Sequence, residues 1–324
     1  MRTTPPPADF GGTGRRFAPG TAGTDASIAA RATGGGWWAT LLRYASLTKP
    51  GVLAANVMTL VAGFLLASGD RIDGVLLAGA VTGTTLVIAS ACTINNVLDR
   101  DIDTRMLRTS ERATVTGSVT VARAAVFGVV LGAAGLAVLV TMTNALVVII
   151  GVAGFVTYVV FYGMLGKRRS VHGTLVGSLS GAAPILAGYA AVTGQIDGIA
   201  ALAFLALFAW QMPEFYSIAI YRRDEYAAAG VPVISVVYGV RRTIAAIFAY
   251  TAIFVAATLG VGLLADLGII YAVVMGITGA GWIGLGVRGF SAADSSAWAR
   301  QMFRYSLIAV LVFCVMISIG APLP

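Results

Sequence analysis

Asn95, Asp99 and Asp103 stand at i, i+4 and i+8 at the close of a long apolar run, so a helix through them carries all three on one face and directs Asp101 elsewhere. Carboxylates one turn apart beside an apolar segment repel each other and lose hydration, so a cation has to offset them. Mg²⁺ suits such a set, because it takes oxygen ligands, keeps some waters and commonly bridges one or two carboxylates to phosphate oxygens. The competing arrangement is a solvated loop whose acids pair with Arg100, Arg105, Arg108 and Arg112.

Two further polar segments bear on that choice. Tyr162 is followed by Lys167, Arg168 and Arg169, and Tyr-Arg-Arg-Asp-Glu-Tyr occupies 221–226. A diphosphate leaving an allylic carbon develops negative charge that positioned Lys, Arg and Mg²⁺ stabilise. On that chemistry Lys167, Arg168 and Arg222 supply the cations, and Asp224 or Glu225 holds a second metal. Arg169, Arg241 and Arg242 read instead as charges that set topology or touch anionic lipid heads.

The elements that must position these groups are membrane spans. Of 324 residues, 58% are hydrophobic and 11% charged, and the apolar residues fall in runs too long for the core of a soluble domain this size. Nine stretches reach the roughly 20 residues needed to cross the hydrocarbon: 51–69, 74–97, 121–142, 144–165, 173–193, 198–220, 243–264, 267–287 and 303–320. Spanning backbone satisfies its own hydrogen bonds, so the expected fold is all-α, a polytopic membrane helical bundle of about nine transmembrane helices. Small residues such as Gly177, Gly181 and Gly188 let such helices approach closely. Residues 1–36, with Pro5, Pro6, Pro7 and scattered Gly and Thr, read as a disordered tail ahead of a membrane domain at 37–324. Cys92 and Cys314 lie far apart, in or beside spans, and suggest neither a disulfide framework nor a cysteine metal site.

The net charge of +8 has no basic soluble domain to carry nucleic-acid binding. It sorts by loop instead. The tail and the segments at 98–120, 166–172, 221–242 and 288–302, with their flanks, hold nearly all the Lys and Arg, whereas the alternate loops contain only Arg71. The positive-inside rule then makes the N-terminus cytoplasmic and, with nine spans, the C-terminus external. Every polar constellation above falls on the cytoplasmic face, where one active site is expected.

The order of these segments resembles the protohaem IX farnesyltransferases (haem O synthases), within the UbiA-type intramembrane prenyltransferases. The matching segments are Leu-Thr-Lys-Pro at 47–50, Asn-Asn-Val-Leu-Asp-Arg-Asp-Ile-Asp at 95–103 with Met106 and Arg108-Thr109, and Lys167-Arg168-Arg169-Ser170. Gly-Ser-Leu-Ser-Gly-Ala-Ala-Pro at 177–184, Gly188-Tyr189, Trp-Gln-Met-Pro at 210–213 and Tyr226 with Ala-Ala-Ala-Gly-Val-Pro at 227–232 continue the series. The resemblance implies transfer of a farnesyl group from farnesyl diphosphate to a vinyl group of protohaem, with water completing the hydroxyethylfarnesyl substituent. It implies Mg²⁺-diphosphate on Asn95, Asp99 and Asp103, a phosphate clamp of Lys167, Arg168 and Arg222, and a second acidic site at Asp224 and Glu225 beside Tyr162. It further implies a bacterial-type inner membrane and a place beside haem A synthase or terminal oxidase assembly.

The sequence departs from that pattern at several positions. Glu214 stands where the family has His after Trp-Gln-Met-Pro, and it reads as a metal or proton-handling residue, or as the partner of a nearby arginine. His172, the only histidine, reads as a surface residue. Gly51, Ala113, Thr114, Ile185 and Ser235 also differ from the family's usual residues, which leaves a quinone precursor or another flat molecule as the alternative acceptor. A transporter or non-catalytic haem-binding protein is the remaining class; transport sites usually lie near the bilayer midplane, whereas these charges gather at one face.

Overall fold

The computed structural model describes residues 36–69, 71–104, 109–166 and 170–319. The expected tail therefore lies outside the described residues except for Gly36, as do Lys167, Arg168 and Arg169. Helices α1 (Trp37–Leu47), α2 (Pro50–Ser68), α3 (Gly74–Leu98), α4 (Arg100–Asp103), α5 (Val121–Met142) and α6 (Ala145–Val156) open the chain. The last of these runs on into a π-helical segment, Thr157–Gly166. Then follow α7 (Gly173–Thr193), α8 (Gly198–Tyr221), α9 (Arg223–Ala228), α10 (Ile234–Val237), α11 (Val240–Leu264), α12 (Gly268–Arg288) and α13 (Ser295–Ile319). Nine helices among the described residues are long and apolar enough to cross a membrane, and they match the nine expected runs, the last beginning at Ser295 rather than 303.

Short polar residues start several of these spans at the ends opposite the basic loops. Asp73 accepts hydrogen bonds from the Val75 and Leu76 amides, Asn144 from those of Leu146 and Val147, and Asp197 from that of Ala200. Each satisfies amides that the first turn leaves without a partner. The outer faces carry exposed Val126, Val129, Ile149, Leu263 and Ile277, as expected of side chains that meet lipid tails.

Two apolar clusters hold the bundle together. One, around Leu60, Phe64, Leu139 and Val147, joins the N-terminal spans to α7. The larger one joins α8, α11, α12 and α13 through Leu207, Met212, Ile247, Phe254, Trp282 and Phe313. Between them α2 lies against α7, and here glycine is required by space. A Cβ on Gly63 would strike the Ile185 carbonyl, and one on Gly188 would strike the Leu60 carbonyl. The two backbones meet directly, which is how spans gain dispersion contact where lipid removes the hydrophobic drive.

Gly188→Val should therefore push α2 away from α7 and destabilise the bundle by roughly 1 to 3 kcal/mol, the usual cost of overpacking. A thermal unfolding midpoint in detergent equal to that of the unsubstituted protein would contradict this contact.

Candidate active site

The acidic helix end forms much as its spacing predicts. Helix α3 closes at Leu98, Asp99 caps it with φ −88° and ψ 0°, and α4 resumes at once. The Asp99 amide still donates to Asn95 O and the Asp103 amide to Asp99 O, both at 2.9 Å, so the i, i+4, i+8 alignment survives the kink. Asn95 is 2% exposed, Asp99 0% and Asp103 2%, while Asp101 points to solvent.

Two interactions offset the charge in part. Arg112 Nη1 donates to Asp103 Oδ2 at 2.6 Å, as the paired-loop arrangement anticipated for this arginine. Asn95 Nδ2 donates to Asp99 Oδ2 at 2.8 Å. This leaves Asn95 Oδ1 buried with no hydrogen-bond partner among the described residues. A buried acceptor oxygen beside a fully buried carboxylate is a donor set for a hard cation, since burial without one is costly. No three His, Cys, Asp or Glu side chains converge among the described residues. An ion held here would have few protein ligands, a situation that Mg²⁺, which keeps several waters, tolerates.

The π segment builds the opposite wall. Winding at i→i+5 places Tyr158 and Tyr162 on one side, with ring centroids 5.5 Å apart. The Tyr158 phenol lies within electrostatic range of Cys92, Asp99 and Arg112. Gly163 makes room for the amide, since a Cβ there would stand 3.2 Å from Asn95 Oδ1. Gly177 of α7 then lies against the Tyr162 ring, where a Cβ would come within 3.0 Å of Cδ2. The sequence reading found Tyr162 but not the π winding, Tyr158 or Gly163; two tyrosines four apart ahead of the Gly163–Gly166 pair were the available signal.

The second polar segment joins the first through an apolar contact. Ile102 of α4 clusters with Ala229 and Val231, and Tyr226 and Val233 close over them. The 222–226 motif is thereby held beside the acidic turn. Arg222 Nη1 donates to Glu225 Oε2 at 3.1 Å, and Glu225 Oε1 is buried with no partner among the described residues. Burial opposes the Arg222 charge most strongly, but the Glu225 carboxylate and the Tyr221 phenol together outweigh it and hold the guanidinium above its ordinary pKa. Between the two proposed acids Glu225 turns inward and Asp224 stays exposed.

Other positions sort into structural roles. Asn96 Nδ2 donates to Leu47 O at 2.9 Å and ties α1 to α3, a role unseen in the sequence. Thr114 Oγ1 donates to Asn96 O at 3.3 Å, and Ser235 Oγ to Ala219 O at 2.5 Å. Ala113 is buried with Leu47 and Val119, and Ile185 lies against Gly63. Four of the departures from the family pattern thus carry packing or backbone contacts. His172 is exposed ahead of α7, as expected. Glu214 sits half-buried on α8 and forms no ion pair with an arginine among the described residues.

The profile of the UbiA prenyltransferase family matches residues 56–308, a stretch that contains both polar motifs. This chain belongs to the UbiA prenyltransferase family. It is a membrane-embedded prenyltransferase. A protoheme IX farnesyltransferase of Yersinia pseudotuberculosis is 43% identical over 277 residues, covering 86% of this chain and 94% of the relative. One from Shigella flexneri is 44% identical over 283 residues, 87% of this chain and 95% of the relative. Among solved structures, one described as digeranylgeranylglyceryl phosphate synthase superposes with a TM-score of 0.74 at 18% identity, covering 87% of this chain and 98% of that one. A UbiA homologue from Archaeoglobus fulgidus, bound to GPP and Mg²⁺, gives 0.62 at 17% identity, covering 85% and 99%. At these identities the solved structures establish the fold.

Arg112→Ala should leave the Asp103 carboxylate buried without its counter-charge and cost roughly 3 kcal/mol, whereas adding Asp103→Asn should return much of that loss. Unfolding midpoints of the two variants in detergent check this. A double variant no more stable than Arg112→Ala would mean that the pair does not neutralise a buried charge.

Proposed function

We propose that the protein transfers a farnesyl group from farnesyl diphosphate to a vinyl group of protohaem IX, forming haem O. The observation that carries the reading is the 43% identity, over most of both chains, to a protein named protoheme IX farnesyltransferase. It is supported locally by buried oxygen donors at Asn95, Asp99 and Asp103, a set suited to a metal-bound diphosphate.

Mg²⁺ held by Asn95, Asp99 and Asp103 would neutralise the diphosphate and so ease its departure from the allylic carbon. Arg112 pairs with the buried Asp103 carboxylate at 2.6 Å and so holds it in place. Arg222, fixed by Glu225, offers its remaining N–H groups to the phosphate oxygens, and Lys167 and Arg168 complete the clamp. Glu225 Oε1 is the oxygen available to a second ion. The apolar interior takes the isoprenoid and keeps water from the allylic cation until the acceptor has reacted. On this reading the site faces the cytoplasm in a bacterial-type inner membrane, with the N-terminus cytoplasmic and the C-terminus outside. The concentration of Lys and Arg in the loops on the site's side supports that orientation.

The test is to incubate purified protein in lipid with protohaem, farnesyl diphosphate and Mg²⁺, and to look for hydroxyethylfarnesyl haem by mass spectrometry. The product should require Mg²⁺, and Asp99→Ala should abolish it while the protein still inserts and unfolds cooperatively. Prenylation of quinone-type rings with none on haem would replace the acceptor; full activity in Asp99→Ala would remove the metal assignment.

A further inference from the structure

Glu214 has no part in the diphosphate machinery just described. Its surroundings follow from how α2, α7, α8 and α13 meet. They form a ring, α2 on α7, α7 on α8, α8 on α13 and α13 back on α2. On α8, Trp210 reaches α13, with Nε1 donating to Ser306 O at 2.7 Å. Gln211 reaches α7, with Nε2 donating to Ser178 O at 3.1 Å. At ~100° per residue, position 214 lies about 40° round the helix from Trp210 and about 60° from Gln211, between the two contacts. Glu214 is thereby directed into the ring.

Nothing among the described residues neutralises it. Its carboxylate makes no ion pair or hydrogen bond there. Ser217, three residues on and on the same side, has a fully buried Oγ with no partner among the described residues. An acid and a hydroxyl left unanswered inside an apolar bundle mark a place where something polar binds. The depth is also informative. Gln211 contacts Ser178 and lies against Gly181, Gly177 lies against Tyr162, and Gly163 lies against Asn95 Oδ1. Glu214 is thus within about one helical turn of the depth of the metal donors, where the reacting end of a prenyl diphosphate is held.

We propose that Glu214 is the base for the water that completes the reaction, an assignment that rests on the haem reading above. The vinyl π electrons bond its terminal carbon to C1 of the farnesyl group as the C1–O bond breaks and its electrons leave with the diphosphate. The cation left on the vinyl carbon next to the macrocycle accepts a lone pair from water. Glu214 takes the proton that this water gives up, and Ser217 Oγ hydrogen-bonds the water in place. A neutral side chain at 214 leaves the cation to lose a proton from its neighbouring methylene instead, which yields an alkene lighter than the normal product by one water.

The experiment is the haem assay with Glu214→Gln and Glu214→Asp, reading the ratio of hydroxylated to dehydrated prenyl haem. Glu214→Gln should lower that ratio by roughly a hundredfold, the scale of lost general-base assistance. Glu214→Asp, which keeps a carboxylate, should recover part of it. An unchanged ratio in Glu214→Gln overturns the assignment, as does loss of both products together with farnesyl diphosphate consumption, which would tie Glu214 to the donor. If the unsubstituted protein prenylates no haem, the reading of the acceptor falls first and this assignment falls with it.

Discussion

Two carboxylates buried at the end of an apolar helix are the constraint from which the rest of this protein follows. Asp99 and Asp103 lie where water is excluded, so their charge has to be answered by the protein and its ligands. The loop of residues 109–120 brings Arg112 back onto Asp103. The same loop is fixed by Thr114 on the Asn96 carbonyl and by Ala113 and Val119 packed on Leu47. Asn96 in turn holds the end of α1. A short helix that spans nothing and a loop outside the bundle are thus part of the electrostatics of the site.

Burial also explains why the two polar motifs lie together. Each is too charged to attract the other through apolar contact along its whole length, but each carries one apolar edge. Ile102 lies between Asp101 and Asp103, and Val231 and Ala229 follow the Arg222–Tyr226 segment; these edges cluster while the ionised groups face the interior or solvent. A contact of this kind fixes the separation of the two motifs through apolar groups. Arg222 is instead balanced by Glu225 within its own segment.

How much of this could be read in advance depended on the periodicity each feature imposes. The nine spans were legible because hydrocarbon thickness sets a minimum apolar length, and the acidic face was legible because i, i+4, i+8 spacing survives a kink whose hydrogen bonds are kept. The π segment was not legible, since its sequence, Thr157–Gly166, has the composition of any apolar span and only the winding is unusual. Asn96 stood next to Asn95 with nothing to tell a helix tie from a ligand; the difference is which neighbour each faces, and that is set by tertiary packing. The departures from the family pattern at Ala113, Thr114, Ile185 and Ser235 left the identity of the acceptor open. Their contacts are with backbone and buried side chains, so a different residue there alters how loops are held or, at Ile185, how α7 meets α2.

Glycine sets the geometry that remains. Gly163, Gly177 and Gly181 lie successively against Asn95, Tyr162 and Gln211, so the π segment, α7 and α8 come together with side chains on one helix meeting bare backbone on the next. Larger residues at these three positions would separate the helices and move Asn95 and Asp99 out of line with the inner face of α8. Close approach in a bilayer is usually a matter of stability, because helices associate there through packing alone. Here the same close approach also fixes the depth at which an acid on α8 stands relative to an amide on α3. The spacing between Asn95 and the inner face of α8 is therefore set by residues that have no side chain.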